Sequence, residues 1–473
     1  MKLRTNVGIL LPVSCLPSRH GCGDFSNTAF DFLKWMSKHH YHYWQVLPLN
    51  PISSKDHCPY MSSCSLAIDI RYISLDKLVD EGLLKDVPPY REHCDKIDYK
   101  GVYDFKIKYL KIAYENYKKL PQNGLKKFKT KNKWVFGYAT YEAFMKKNKG
   151  LSWNKWPKED INYFLHHTKP PREHLDYIDF VIFMQYVAYT QWKHILAFAH
   201  ARNIQVICDL PFYVGFDSSD CWMNHDEFHL DPKNNPAFVS GVPPDYFNAD
   251  GQVWNSPTYN FEKMKVNNYK FLIDRILGLM NLCDILRIDH FRAFDTFFMI
   301  PGGETTARNG HWEQGPSYDF FDELYRRKPD IRLIVEDLGD GLENAYKLRD
   351  HYNLPGMYIG QFEMMNWESI SKPNQVVYTG THDNQTFYGF FKSLSDQDKF
   401  MLNQKLLFPK NLYRACFEYV WNLPAYITIF PLQDLLKLDD RARLNWPGTE
   451  GDPNFCFKFK DFACLKKIRF GNK

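Results

Sequence analysis

The 473-residue chain contains no run of about 18 uninterrupted apolar residues, so no segment has the length of a membrane-spanning helix. It has no Cys-x-x-Cys pair. Eleven cysteines, an odd number in a chain this long, predict free thiols in a reducing compartment rather than a disulfide framework or a zinc site. No charge of one sign dominates. With 60 basic and 55 acidic residues the net charge is +5, and lysines fall in scattered clusters such as LKKFKTKNK, a poor footprint for nucleic acid. No GxGxxG follows the first apolar run, which argues against an open dinucleotide-binding sheet. His39, His40 and His42 in HHYH would point different ways on any regular element, so no metal is expected there or elsewhere. The N-terminal MKLRTNVGILLPVSCLPS copies a signal peptide only superficially, because Pro12 interrupts its apolar stretch and no small-x-small site follows. A cytoplasmic protein is expected.

Aromatic side chains, by contrast, are abundant. Phe, Trp and Tyr make up 17% of the chain, with 30 Tyr and 12 Trp, more than a core alone requires. Most must be core residues. The surplus suits a carbohydrate site, where rings serve as flat apolar platforms with a polar edge.

Eight short apolar runs end in polar or Pro-containing loops: GILLPV near 8–13, YWQVLPLNP near 43–51, IQVICDLPFYV near 204–214 and LCDILRIDHF near 282–291, then IRLIVEDLG near 331–339, GMYIGQFEM near 356–364, QVVYTGTHDN near 375–384 and AYITIFPLQ near 425–433. Most follow segments whose apolar residues recur at three and four positions. Eight buried strands alternating with helices predict an α/β fold, a (β/α)8 TIM barrel. The chain reads as one catalytic domain over 1–473 with insertions at the carboxyl ends of strands. About 150 residues between the second and third strands are too many for one crossover, and predict a mainly helical insertion over 60–200. The stretch 215–265, punctuated by Pro, Asn, Gly and Asp, predicts a loop subdomain between the third and fourth strands.

RIDHFR, residues 287–292, places four ionisable groups at the end of a buried run. Strand alternation sends Arg287 and Asp289 one way, Leu286 and Ile288 the other. An Arg beside Asp289 favours its ionised form, as a nucleophile requires; a structural ion pair explains the motif equally well. Glu336 ends the apolar run LIVEDLG, where burial would raise its pKa into the range of a general acid. Asp337 faces the other way and is read as a helix cap. Asp383 ends YTGTHDNQT; alone it reads as an Asx turn. Three carboxylates delivered to one barrel face suit glycoside chemistry, in which an acid and a nucleophile about 5–5.5 Å apart give retention.

These residues and the segments around them resemble the 4-α-glucanotransferases, or amylomaltases, of glycoside hydrolase family 77 in the α-amylase clan. The resemblance extends over GILLPVSCLPSRHGCGDF, YWQVLPLNP, CPYMSS, CDLPFYVGFDSSD, GVPPDYFNADGQVWNSPTY, LRIDHFRAF, VEDLG, LPGMYIGQF, VVYTGTHDNQT and LNWPGTEG, nearly the whole chain. It implies Asp289 as nucleophile, Glu336 as acid/base and Asp383 as transition-state stabiliser. Arg287, His382 and Asp209 would hold the sugar, with Tyr60 stacked on it. Tyr246, Phe247 and Trp254 would contact the glucan chain, and Asp245 and Gln252 would bind hydroxyls. The implied activity moves an α-1,4-glucan segment from a donor maltodextrin to the 4-hydroxyl of another glucan or glucose, without a cofactor. Departures from the family pattern fall at His57 and Cys58 (Asp-Ser in the pattern), Cys208 (Gly), Gln385 (Asp) and the run NFCFK. None removes a catalytic carboxylate. An α-1,4-glucan hydrolase and a catalytically impaired glucan-binding protein stand as alternatives.

Overall fold

The computed structural model describes residues 6–52, 56–91, 95–244 and 249–468. Eight parallel strands form a nearly closed barrel: β1 (Val7–Leu10), β2 (Tyr43–Gln45), β3 (Gln205–Leu210), β6 (Ile285–Ile288), β9 (Leu333–Val335), β10 (Gly356–Ile359), β11 (Gln375–Tyr378) and β12 (Ile427–Pro431). They pair in chain order from β1 to β12, and β12 returns to β1. Between β9 and β10 the Val335 N–H donates to Pro355 O at 2.9 Å. This is a (β/α)8 barrel, and all eight expected strands are present. They read as almost unbroken apolar runs because a parallel strand is buried on both faces. Gly8 on β1 is one point where a side chain would not fit, since a Cβ there would lie 2.5 Å from Tyr43 Cβ on β2.

The surplus of aromatics is largely structural. Trp44, Trp153, Trp192, Trp222 and Trp421 are fully buried, and Trp44 and Trp192 pack against each other beneath the barrel's helical layer. Between β2 and β3 run the helices Tyr99–Tyr117, Asn123–Lys131, Trp134–Lys147 and Leu175–His200. The last of these buries one side against the barrel. Its Gln185 and Gln191 are buried too, each exchanging hydrogen bonds with the backbone of the 68–74 segment.

A second, antiparallel sheet lies at the carboxyl end of the barrel. It contains β4 (Phe238–Val242), β5 (Gln252–Pro257), β7 (Thr296–Pro301) and β8 (His311–Gln314), in the order β5-β4-β7-β8. Residues 215–265, whose punctuation predicts loop, therefore carry two strands. Their partner β7 comes from beyond β6, a pairing that no local pattern encodes. Among the described residues no helix is long and apolar enough to cross a membrane.

Candidate active site

The register of β3 with β6 sets Asp209 directly beside Arg287. The Arg287 side chain is 2% exposed, and its Nη1 donates to Asp209 Oδ1 at 2.8 Å and Oδ2 at 2.7 Å, with a further bond to Asp289 Oδ1 at 3.1 Å. Nη2 lies 3.2 Å from Glu336 Oε1. One guanidinium thus serves three carboxylates, which is how so much charge stays buried at the end of a sheet. Backbone bonds continue past the strand ends and fix the acids. Asp289 N–H donates to Leu210 O, Glu336 N–H to Ile288 O, and Phe291 N–H to Glu336 O.

Asp289 and Glu336 are also hydrogen-bonded to each other. Their side chains are 26% and 21% exposed, so both are accessible from the barrel mouth. Burial and then the Glu336 charge push Asp289 well above the ordinary carboxylate range, against the pull of Arg287. Burial raises Glu336 as well, but the Arg287 charge, the Asp289 hydrogen bond and the His290 N–H at 2.7 Å outweigh it and hold Glu336 at about 2. The two carboxyls therefore titrate as a coupled pair rather than as separate groups. The guanidinium reaches both residues, and the backbone donor from the RIDHFR turn reaches only Glu336.

His290 makes that donation from a left-handed backbone conformation, φ 48°. Its ring packs edge-on to Trp254 at 4.9 Å and near Tyr213 and Phe212. Burial lowers its pKa to about 4, so the ring is neutral at pH 7. Arg292, by contrast, lies outside the cluster, over the Trp312 ring and bonded to Asp340 O. Asp337 is not a cap. It accepts from Met357 N–H at 2.7 Å and pairs with Arg349, tying the end of β9 to β10 and the helix Glu343–His351.

Loops supply the opposite wall. Tyr60 OH donates to Asp209 Oδ2 at 2.8 Å, and its ring stacks on His382 at 5.2 Å with an 11° tilt. Its hydroxyl is held far above the ordinary tyrosine range, by burial first and then by Asp209, with Asp289 and Asp383 adding to it. Tyr60 therefore stands within the field of the strand-end acids Asp209 and Asp289 and of the loop acid Asp383. Asp383 is the most exposed of the set at 38%. It accepts from Asn445 Nδ2 at 2.6 Å and lies 3.3 Å from His382 Nε2, while Arg443 Nη2 donates to its backbone oxygen. The turn that aims it is closed by Asn384 Oδ1, which accepts from Thr381 N–H and Oγ1–H. Trp254 and Gln252, on β5, are half-buried near His290, with the indole donating to Gln252 Oε1 at 3.2 Å. Asp245, Tyr246 and Phe247 lie outside the described residues.

Two contributors escape a reading by residue type: the His290 amide and Asn445. The first is a backbone group. The second belongs to LNWPGTEG, some 60 residues from Asp383, and no local pattern joins them.

The profile of the 4-alpha-glucanotransferase family, glycoside hydrolase family 77, matches residues 11–464. The chain belongs to this family. It is 35% identical over 470 residues to the 4-alpha-glucanotransferase of Synechocystis sp., covering 93% of this chain and 91% of that one. It is 34% identical to the Clostridium butyricum enzyme, covering 95% of each. The amylomaltase from Streptococcus agalactiae, solved in complex with acarbose, superposes with a TM-score of 0.91 at 28% identity, covering 98% of both chains. Family 77 membership makes this a transferase of glucan chemistry on a (β/α)8 barrel, and neither a plain hydrolase nor a binding protein is favoured.

Three departures from the expected pattern make no hydrogen bond to the four acids among the described contacts. Cys208 is buried, in contact with Cys283, so its side chain leaves β3 on the face opposite Asp209. Gln385 donates to Asp440 Oδ2 at 2.8 Å, where an Asp would set carboxylate against carboxylate. Cys58 has its thiol pushed up to about 12 by burial.

Proposed function

We propose that the site transfers α-1,4-glucan segments from a maltodextrin donor to the 4-hydroxyl of a second glucan or glucose by a double displacement at one centre. Asp289 attacks the anomeric carbon and Glu336 protonates the departing glycosidic oxygen, leaving a covalent glucosyl-enzyme with the remainder of the donor as leaving group. Glu336, now a base, takes the proton from the incoming 4-hydroxyl, whose oxygen displaces Asp289 from the anomeric carbon. The placement of Asp289 and Glu336 around one guanidinium, both open to the barrel mouth, is the observation that supports this reading, because the chemistry requires an acid and a nucleophile on the same face of the site. A sugar entering between the two acids breaks their mutual hydrogen bond. Its glycosidic oxygen then offers Glu336 an acceptor, and Arg287 favours the ionised form of Asp289.

Asp383, aimed by Asn445 and His382, binds the ring hydroxyls of the sugar and stabilises positive charge as it develops at the anomeric carbon. Arg287, Asp209 and His382 hold the same sugar, and the Tyr60 ring packs on it. Trp254, Gln252 and residues Asp245, Tyr246 and Phe247 carry the adjacent glucose units. Transfer prevails over hydrolysis when an acceptor sugar, oriented on such rings, reaches the intermediate before water does. Acarbose, found in the Streptococcus agalactiae structure, is expected to compete for this pocket. The segments 60–200 and 215–265 are read as insertions of the one catalytic domain, 1–473, and the protein as cytoplasmic.

Incubation with maltotriose tests the reading. Glucose together with a ladder of longer maltodextrins is the expected result. Glucose and maltose alone would mean hydrolysis, and unchanged substrate would mean a binding protein.

A further inference from the structure

Two of the departures from the family pattern meet in space. His57 and Cys456 are 399 positions apart in the chain, yet His57 Nδ1 lies 3.5 Å from Cys456 Sγ. The same nitrogen lies 3.6 Å from Asp452 Oδ1, which in turn is 3.0 Å from Cys456 Sγ. Among the described residues this is the group of three whose candidate ligand atoms all fall within 4.8 Å of one another. The sequence gives no hint of it, because its members come from opposite ends of the chain and none belongs to a Cys-x-x-Cys or paired-His motif.

The spacing suits a tetrahedral ion. Bonds of about 2.0–2.3 Å from zinc to nitrogen, oxygen and sulfur place ligand atoms about 3.4–3.6 Å apart. The two distances from His57 already match. The thiol–carboxylate contact is shorter, as expected while a thiol proton lies between the two atoms, and must open by about half an ångström once that proton leaves. The donor set discriminates between metals as well, since a thiolate with an imidazole favours zinc over magnesium or calcium. The His57 ring is oriented by stacking on Tyr99 at 4.8 Å and 29°, and its backbone sits at φ 58°. Asp452 is 66% exposed, which opens the remaining face to solvent.

We propose that His57, Asp452 and Cys456 form a zinc site with water in the fourth position. Binding makes a Zn–S bond and releases the Cys456 thiol proton to solvent, with no change of oxidation state. The site lies at the rim of the pocket and outside the catalytic set. It joins the segment that leads into Tyr60 to the segment that begins at Asn445 and ends at Phe455, whose ring lies 6.3 Å from that of His382. Zinc there clips together the two loops that form the wall opposite the strand-end acids.

The full-length, reduced protein, freed of metal with a chelator, is titrated with Co²⁺ while thiolate-to-cobalt charge-transfer absorption is followed, and Zn²⁺ is then added. One cobalt per chain is expected, with the band present and removed by zinc, and with a rise in melting temperature on zinc addition. Cys456→Ser should abolish the band, and Cys464→Ser, outside the cluster, should leave it intact. Asp452→Ala, at an exposed position, should weaken cobalt binding at least about tenfold and remove the thermal shift. Absence of the band in the unmodified protein, its survival in Cys456→Ser, or unchanged affinity in Asp452→Ala would each overturn the proposal.

Discussion

The two walls of the pocket are built on different principles. On the strand side Asp209, Asp289 and Glu336 surround one buried guanidinium, and their positions are set together by Arg287. On the loop side Asp383 faces an amide and an imidazole, is more exposed, and is aimed by hydrogen bonds from a turn and from Asn445. The difference fits the proposed roles, in which the reacting acids need a tuned charge state and the acid that binds hydroxyls needs direction. A strand end supplies the first because its register fixes the cation. A loop supplies the second because its geometry can be adjusted without disturbing the barrel.

The comparison breaks most sharply at Asp289. Asp289→Asn is expected to lower the transfer rate by about 10⁴ or more while maltodextrin affinity, read by calorimetry, stays within a fewfold; retained turnover would remove Asp289 from the nucleophile's place. Arg287→Met comes next. Stripping this buried cation from the three carboxylates around it should cost about 3–5 kcal/mol in urea unfolding; a loss no larger than that of a surface substitution would deny its central position.

Asn445→Ala tests the loop side. It should lower kcat about 10- to 100-fold and leave the pH profile in place, because Asn445 touches no member of the proton-sharing pair. A displaced profile would mean that the two walls are electrostatically joined.

The pH profile itself is the next test. The proposed mechanism requires the pair to hold one proton, so kcat/KM should fall at high pH as the raised Asp289 group ionises, above the ordinary carboxylate range. It should fall at low pH only as Glu336 takes up a proton, toward pH 2. The same shifts act on stability with opposite signs. The Glu336 contribution is present above its unfolded value near 4.5 and is lost as pH falls toward about 2. That of Asp289 is present below its unfolded value near 3.8 and is lost as pH rises through the raised value. Asp289→Asn should accordingly melt at a higher temperature than the parent at pH 8. An Asp289→Asn melting curve that coincides with the parent's at that pH would contradict the assignment. The smallest effect is expected of Tyr60→Phe. Losing its bond to Asp209 should weaken maltotriose binding by about 1 kcal/mol, with the stack on His382 preserved.

The barrel was legible because each of its eight strands is a short run of apolar residues ending in a polar turn, a pattern that burial on both faces imposes. The antiparallel sheet was not, because β4 and β5 are completed by β7, which follows barrel strand β6 in the chain. Residue type and alternation brought Arg287 and Asp289 to one face and put Glu336 and Asp383 at strand ends. They do not set the charge state of the pair. The sequence places an Arg beside Asp289 but is silent on the second guanidinium nitrogen reaching Glu336 and on the His290 amide, which has no side-chain signature. Asn445 was hidden for a simpler reason, its distance along the chain.

A single counterion shared by three acids also partitions how freely the chain can drift. A change at Asp209, Asp289 or Glu336 alters the field felt by the other two, so single substitutions there are expected to be strongly non-additive. His57, Cys58, Cys208, Gln385 and Cys456, where the chain departs from its family, make no hydrogen bond or ion pair with Arg287 or its three acids among the contacts described above. Substitutions at those positions can therefore change the protein's properties without breaking the ion pairs that hold the cluster together.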